Sequence, residues 1–131
     1  MNKIAIIDDN MVFRKITKML LNKIGVPDTN ILLFKNGNEI YELMNNKINS
    51  IADLPNILLL DLNMPIMNGW EFIKAYKNYK KAYNYTPKIY IITSSVDDKD
   101  YKKATKFSDI EGFFSKPIDK DILEKIPNIV S

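Results

Sequence analysis

The chain has 131 residues and a mass of 15.2 kDa, room for one compact unit rather than two with separate cores. Hydrophobic residues make up 46% and charged residues 27%, average proportions for a globular protein, which makes disorder, fibrous repeats and a bilayer-embedded chain poor fits. The net charge is +3, its basic side is 18 Lys with only Arg14, and there is neither histidine nor cysteine. Those two absences remove thiol nucleophiles, disulfides, zinc sites built on His or Cys, and the serine–histidine triad. With a single guanidinium, nucleic-acid reading is disfavoured. No apolar run is long enough to span a bilayer, and Asp8 and Asp9 interrupt the N-terminus before a secretory signal could form. The lack of cysteine fits a reducing cytoplasm, which is the expected location.

In chain order, a continuous apolar run, Ile4-Ala5-Ile6-Ile7, predicts a strand buried on both faces. Val12, Ile16, Met19, Leu20 and Ile24 form a helical stripe that Gly25 would stop. Ile31 to Phe34 predicts the second strand. Asn36 and Glu39 stand at N-cap and N3 spacing ahead of a helix that buries Ile40, Leu43 and Met44. Ile57 to Leu60 is the third strand. Asn68 and Glu71 repeat the cap spacing before a helix carrying Phe72, Ile73 and Tyr76. Ile89 to Ile92 is the fourth strand, and Ser95 with Asp98 would cap a lysine-rich helix ending near Phe107. Gly112 to Phe114 is the fifth strand, followed by a short helix from Asp119 to Ile126 that Pro127 terminates. Strands alternating with helices predict an α/β fold, a doubly wound five-stranded parallel sheet with helices on both faces.

In such a sheet the working site lies beyond the C-terminal strand ends. Those ends carry Asp8 and Asp9, Asp61, Thr93-Ser94-Ser95, and Ser115-Lys116-Pro117. Lys35-Asn36-Gly37 after the second strand reads as turn and cap only. Any one aspartate after a strand is most simply a helix cap or turn former. Three together repel unless a cation sits among them, and an all-oxygen cluster suits Mg²⁺, with Mn²⁺ possible, better than zinc. A carboxylate nucleophile, a divalent ion, the Lys116 ammonium and the Thr93 hydroxyl make a complete set for forming an acyl phosphate.

The segments IIDDN, LLLDLNMPIMNGWEF, IITSS and FFSKP, in that order, resemble the receiver domain of two-component response regulators over essentially the whole chain. The intervals are 52 residues from Asp9 to Asp61, 32 to Thr93 and 23 to Lys116. The resemblance implies the flavodoxin-like strand order 2-1-3-4-5 and one receiver domain over residues 1–131 with no output domain. It implies that Asp61 is the phosphoacceptor and that Mg²⁺ is held by Asp9, Asp61 and the backbone carbonyl of Asn63, with Asp8 assisting through water. Lys116 would pair with Asp61 and then with the phosphoryl group, across a cis Lys116-Pro117 bond. Thr93 and Phe113 would form the switch, in which the ring swings into space left by the turning hydroxyl. Many relatives carry tyrosine there; without its hydroxyl the outward rotamer would be less sharply defined. Pro65 and Gly69 read as scaffold.

The expected partners are a histidine kinase or histidine phosphotransfer protein as donor and a downstream protein of unknown identity, with no nucleic acid and no membrane. The chain would be no enzyme beyond catalysing its own phosphorylation and dephosphorylation. The interval before Asp61 is long, and the extra length falls in the polar stretch from Asn45 to Pro55. The last helix is short, so family dimerisation does not carry over; a monomer or a weak phosphorylation-dependent dimer is expected. The lysine- and tyrosine-rich stretch from Lys74 to Lys88 reads as a solvated helix face, with Tyr76 and Tyr83 on its buried or half-buried side. A phosphorylation-independent interaction module on the same fold is the alternative. A phosphatase with a carboxylate nucleophile would want an aspartate where Asn63 stands, and a flavin-binding domain would want a hydroxyl-rich loop where Asp8 and Asp9 stand.

Overall fold

The computed structural model describes residues 2–46 and 50–130. Five strands alternate with five helices: β1 (Ile4–Ile7), α1 (Met11–Lys23), β2 (Ile31–Phe34), α2 (Gly37–Asn45), β3 (Ile57–Leu60), α3 (Gly69–Tyr83), β4 (Lys88–Thr93), α4 (Asp98–Ala104), β5 (Ile110–Ser115) and α5 (Lys120–Glu124). The strands form one parallel sheet in the order β2-β1-β3-β4-β5. Strand residues alternate between two cores. Ala5, Ile7, Leu58, Leu60, Ile89 and Ile91 pack with Ile40, Phe72, Ile73, Tyr76 and Ala104 beneath α2, α3 and α4. Ile4, Ile6, Ile57, Leu59 and Ile92 pack with Leu21, Leu123 and Ile126 under α1 and α5. The doubly wound expectation holds. β2, however, is an edge strand and leaves Leu33 exposed, so a continuous apolar run did not mean burial on both faces there.

Helix starts follow the polar residues that precede them. Asn10, Asn36, Asn68 and Asp119 each accept a backbone N–H from the first turn, and Glu71 completes a reciprocal box with Asn68. α4 differs: its cap is Asp97, which accepts from the Lys99 N–H at 2.9 Å, and the helix ends at Ala104 rather than near Phe107. α5 has only five residues.

The predicted stripe on α1 is rotated. Thr17 and Leu21 are buried and Phe13 is half-buried, while Val12, Ile16 and Met19 are exposed, Met19 at 61%. The apolar arc of this helix is wide, and packing against the sheet selects its Phe13, Thr17 and Leu21 side, with Leu20 and Ile24 of the expected stripe still packed against the core.

The 74–88 stretch is held by its tyrosines. Tyr76 donates to the Tyr85 carbonyl (3.0 Å), Tyr79 to that of Met44 (2.7 Å) and Tyr85 to that of Pro55 (2.5 Å). Burial pushes the Tyr76 phenol up to about 12, and that of Tyr85 well up too. Tyr83, expected inside, is exposed, and Tyr79 and Tyr85 take the interior places. The last two bonds tie down both sides of the long segment before β3; within it, residues 47–49 lie outside the described residues. Among the described residues no helix is long and apolar enough to cross a membrane.

The Thr17 hydroxyl is fully buried and has no hydrogen-bond partner among the described residues. Thr17→Val replaces that hydroxyl with a methyl of the same shape and is expected to stabilise the protein by about 1 kcal/mol. The check is a higher urea midpoint at unchanged slope; a lower midpoint would contradict it.

Candidate functional site

Parallel registration brings the acidic residues together. Ile7 of β1 pairs with Leu60 of β3, so Asp8 and Asp61 leave neighbouring strands at the same level, and the Asp61 N–H donates to the Ile7 carbonyl at 3.0 Å. Both side chains are buried, whereas Asp9 is exposed at the rim. Carboxylate oxygens of Asp8, Asp9 and Asp61 lie within 4.8 Å of one another. Leu60 also pairs with Ile91, which puts Thr93 just past the level of Asp61 on the other flank of β3. Thr93 pairs with Ser115, and its carbonyl accepts the Lys116 N–H at 2.9 Å, bringing the lysine to the same rim. The Lys116-Pro117 bond is cis.

Lys116 is closer to Asp8 than to its expected partner. Its Nζ stands 2.5 Å from Asp8 Oδ2 and 3.6 Å from Asp61 Oδ2. Asp61 has other donors: the Leu62 N–H reaches its Oδ1 at 2.8 Å, and the Asn63 N–H also bonds the carboxylate. Asp8 is held from three sides, since its Oδ1 accepts the Asn10 N–H (2.9 Å) and its carbonyl accepts from Arg14 Nη1 (2.7 Å). The Phe13 ring lies over Lys116, with Nζ 4.2 Å from the ring centre. Periodicity had not singled out Phe13, because the inner face of α1 was read one position away, nor had charge singled out Arg14.

Asn63 lies two residues beyond Asp61 on the loop to α3, with its side chain exposed. That loop runs close to the helix it feeds. A Cβ on Gly69 would stand 2.5 Å from the Asp61 carbonyl and 2.9 Å from Leu62 Cα, so the first turn of α3 presses on the backbone that presents the carboxylate. The scaffold reading of Gly69 follows from that contact. Ile66, in the same loop, has φ of 68°, a left-handed conformation uncommon for a β-branched residue and not signalled by the sequence. Phe113 on β5 is half-buried, its ring edge-on to Tyr101 of α4 at 5.5 Å.

Residues 4–127 match the family model of the response regulator receiver domain. The chain belongs to that family. Relatives of this receiver domain include the osmosensing histidine protein kinase SLN1 of Saccharomyces cerevisiae, 30% identical over 95% of the chain. The chain spans only 10% of that protein's length. A chemotaxis protein CheY homolog of Campylobacter jejuni is 29% identical, with 98% of this chain and 92% of the relative aligned. Among solved structures, a two-component response regulator from Cytophaga hutchinsonii superposes with a TM-score of 0.81 at 24% identity, covering 93% of this chain and 90% of its own. One from Legionella pneumophila gives 0.74 at 28% identity, covering 92% and 91%. The strand order expected for a receiver is the one observed.

Burial pushes the Asp61 carboxyl above the usual carboxylate range, and the charge of Asp8 adds to the push; Lys116 and the Leu62 and Asn63 N–H groups pull against it. A raised folded value means that the contribution of Asp61 to stability is complete below the unfolded range, near pH 4, and is lost as pH rises through the folded value. Asp61→Asn is therefore expected to melt above the wild type at pH 7 without added metal, with the gap closing below about pH 4. Thermal melts at the two pH values check this, and a variant that melts lower at pH 7 would contradict it.

Proposed function

We propose that this receiver domain takes a phosphoryl group from a histidine kinase or histidine phosphotransfer protein onto Asp61 and signals through altered protein contacts. The observation that carries this is a buried carboxylate at the end of a central strand, with two further carboxylates within 4.8 Å and a lysine ammonium 3.6 Å away. The donor set fits a hard divalent cation: all of its side-chain ligands are oxygen, and the acidic charge exceeds what Lys116 alone offsets. Asp9, Asp61 and the Asn63 carbonyl would hold Mg²⁺, or Mn²⁺ in its place, with Asp8 assisting through water. The bound ion supplies positive charge beside the oxygens of the transferring group.

The remaining work falls to the chain itself. An Asp61 oxygen attacks phosphorus, forming the O–P bond as the N–P bond of the donor phosphohistidine breaks. The N–P electron pair stays on the imidazole, which then takes up a proton. Lys116, whose ammonium already stands 3.6 Å from Asp61, turns to one phosphoryl oxygen, and the Thr93 hydroxyl donates to another. Attack by water later restores the carboxylate and releases inorganic phosphate, so the domain turns over its own phosphoryl group and no external substrate. As Thr93 turns, Phe113 moves into the space behind it and alters the face formed by α4, β5 and α5.

The partners are then the phosphoryl donor and a downstream protein, in the cytoplasm, with the domain a monomer or a weak phosphorylation-dependent dimer. Nucleic acid is not among them: three of the four tyrosines in the basic 74–88 stretch are buried and bonded to backbone carbonyls. Incubation with acetyl phosphate and Mg²⁺ is expected to add one phosphoryl group to the wild type and none to Asp61→Asn, read by intact mass. Equal modification of both proteins would overturn the assignment of Asp61. No modification of either would favour a phosphorylation-independent interaction module.

A further inference from the structure

Ser95 does not cap α4, and its hydroxyl has another partner. Ser95 Oγ donates to Asp100 Oδ2 at 2.7 Å, while its backbone N–H donates to Thr93 Oγ1 at 3.2 Å. The second oxygen of Asp100, Oδ1, accepts the indole Nε1–H of Trp70 at 3.1 Å. A hydrogen-bonded line therefore runs from the buried Thr93 hydroxyl through Ser95 and Asp100 to Trp70 on α3. Ser95, Asp100 and Trp70 are each half-buried, where bonds to protein are not exchanged for water without cost. Beyond Trp70 the line opens onto a surface: Lys103 of α4 covers the indole at 4.6 Å, and the indole lies 6.0 Å from the Phe107 ring, which Lys77 covers at 4.5 Å.

Asp100 is the joint of this line. Ser95 and Trp70 both bring donors to it, and a carboxylate can accept from each through a different oxygen. The neighbouring acids are committed elsewhere, Asp97 to the helix cap and Asp98 to Lys102 at 3.1 Å.

We propose that Ser95, Asp100 and Trp70 form a latch that holds Thr93 in its resting rotamer and carries the state of Asp61 to the α3–α4 face. The inference rests on the reading of Asp61 as phosphoacceptor and of Thr93 as the hydroxyl that turns toward the phosphoryl group. Thr93 is β-branched, so its χ1 moves between discrete wells rather than by degrees. When Oγ1 leaves its present well, the Ser95 N–H loses its acceptor, the β4–α4 loop shifts, and Asp100 can no longer hold Ser95 and Trp70 together. The indole then loses a charged hydrogen-bond partner, and its packing with Lys103 and Phe107 changes. Linkage requires the reverse effect as well: bonds that favour the resting rotamer oppose occupation of Asp61.

Trp70 is the only tryptophan in the chain, so its fluorescence reads the latch without labelling. The test is a titration of the full chain with beryllofluoride in Mg²⁺, following Trp70 emission and, separately, Asp61 occupation by fluorine NMR. In the wild type the emission is expected to change in step with occupation. Ser95→Ala and Asp100→Ala are expected to bind beryllofluoride about three- to tenfold more tightly, with less than about half of the wild-type emission change. Asp100→Leu, which roughly keeps the volume of the side chain and offers neither donor nor acceptor, gives the same direction if the alanine variant folds poorly. Occupation of Asp61 with unchanged Trp70 emission, or variants with wild-type affinity and emission change, would overturn the latch and leave the phosphoacceptor reading intact. Failure of beryllofluoride to occupy Asp61 would overturn that reading, and the latch with it.

Discussion

Asp8 and Asp61 are buried side by side, and among the described residues a single ammonium, that of Lys116, lies within 4 Å of both. Much of the rim serves to hold this unfavourable charge in place. The pairing of Ile7 with Leu60 sets the two carboxylates level, the Leu62 and Asn63 N–H groups solvate one of them, the Asn10 N–H bonds the other, and Arg14 holds the Asp8 backbone carbonyl. Folding would be easier with fewer negative charges here, as the raised Asp61 carboxyl shows. Such a cost is common at sites whose chemistry requires the strained arrangement.

Two of the helix starts also wall in this rim. Asn10 caps α1 directly after the acidic pair, which places Phe13 over Lys116, and Asn68 with Gly69 starts α3 close against the Asp61 backbone. Each helix start thus has two tasks, satisfying its own backbone donors and fixing one wall of the rim. On the far flank Thr93 connects the rim to α3 and α4 through Ser95 and Asp100, while Phe113 and Tyr101 lie on a separate route to α4.

Much of this was legible in the residues. The five apolar runs became the five strands, the caps at Asn36 and Asn68 formed as their spacing suggested, and Asp8, Asp9, Asp61, Thr93 and Lys116 all reached one rim. Other features were ambiguous because one pattern allowed two outcomes. α1 has a wide apolar arc, from Val12 through Leu20 to Leu21, so periodicity could not choose which part of it faces inward. Ser95 and Asp97 are both competent caps; Asp97 accepts from the first turn of α4, while Ser95 Oγ accepts the Asp97 N–H and donates to Asp100. Tyr79 and Tyr85, rather than Tyr83, found carbonyls to bond inside the molecule.

The sequence by itself determined the order of strands and helices along the chain, and which chemical groups follow each strand, because these depend on local periodicity and on capping within a few residues. It also excluded histidine and thiol chemistry outright. Only the tertiary structure decided which partner each group meets: Lys116 with Asp8 ahead of Asp61, Phe13 over the ammonium, Trp70 on Asp100. Those contacts join residues as much as 108 positions apart, and they depend on parallel register and on which face each helix turns inward. Neither is encoded in any local stretch of residues; both follow from burying two apolar cores against one sheet at once.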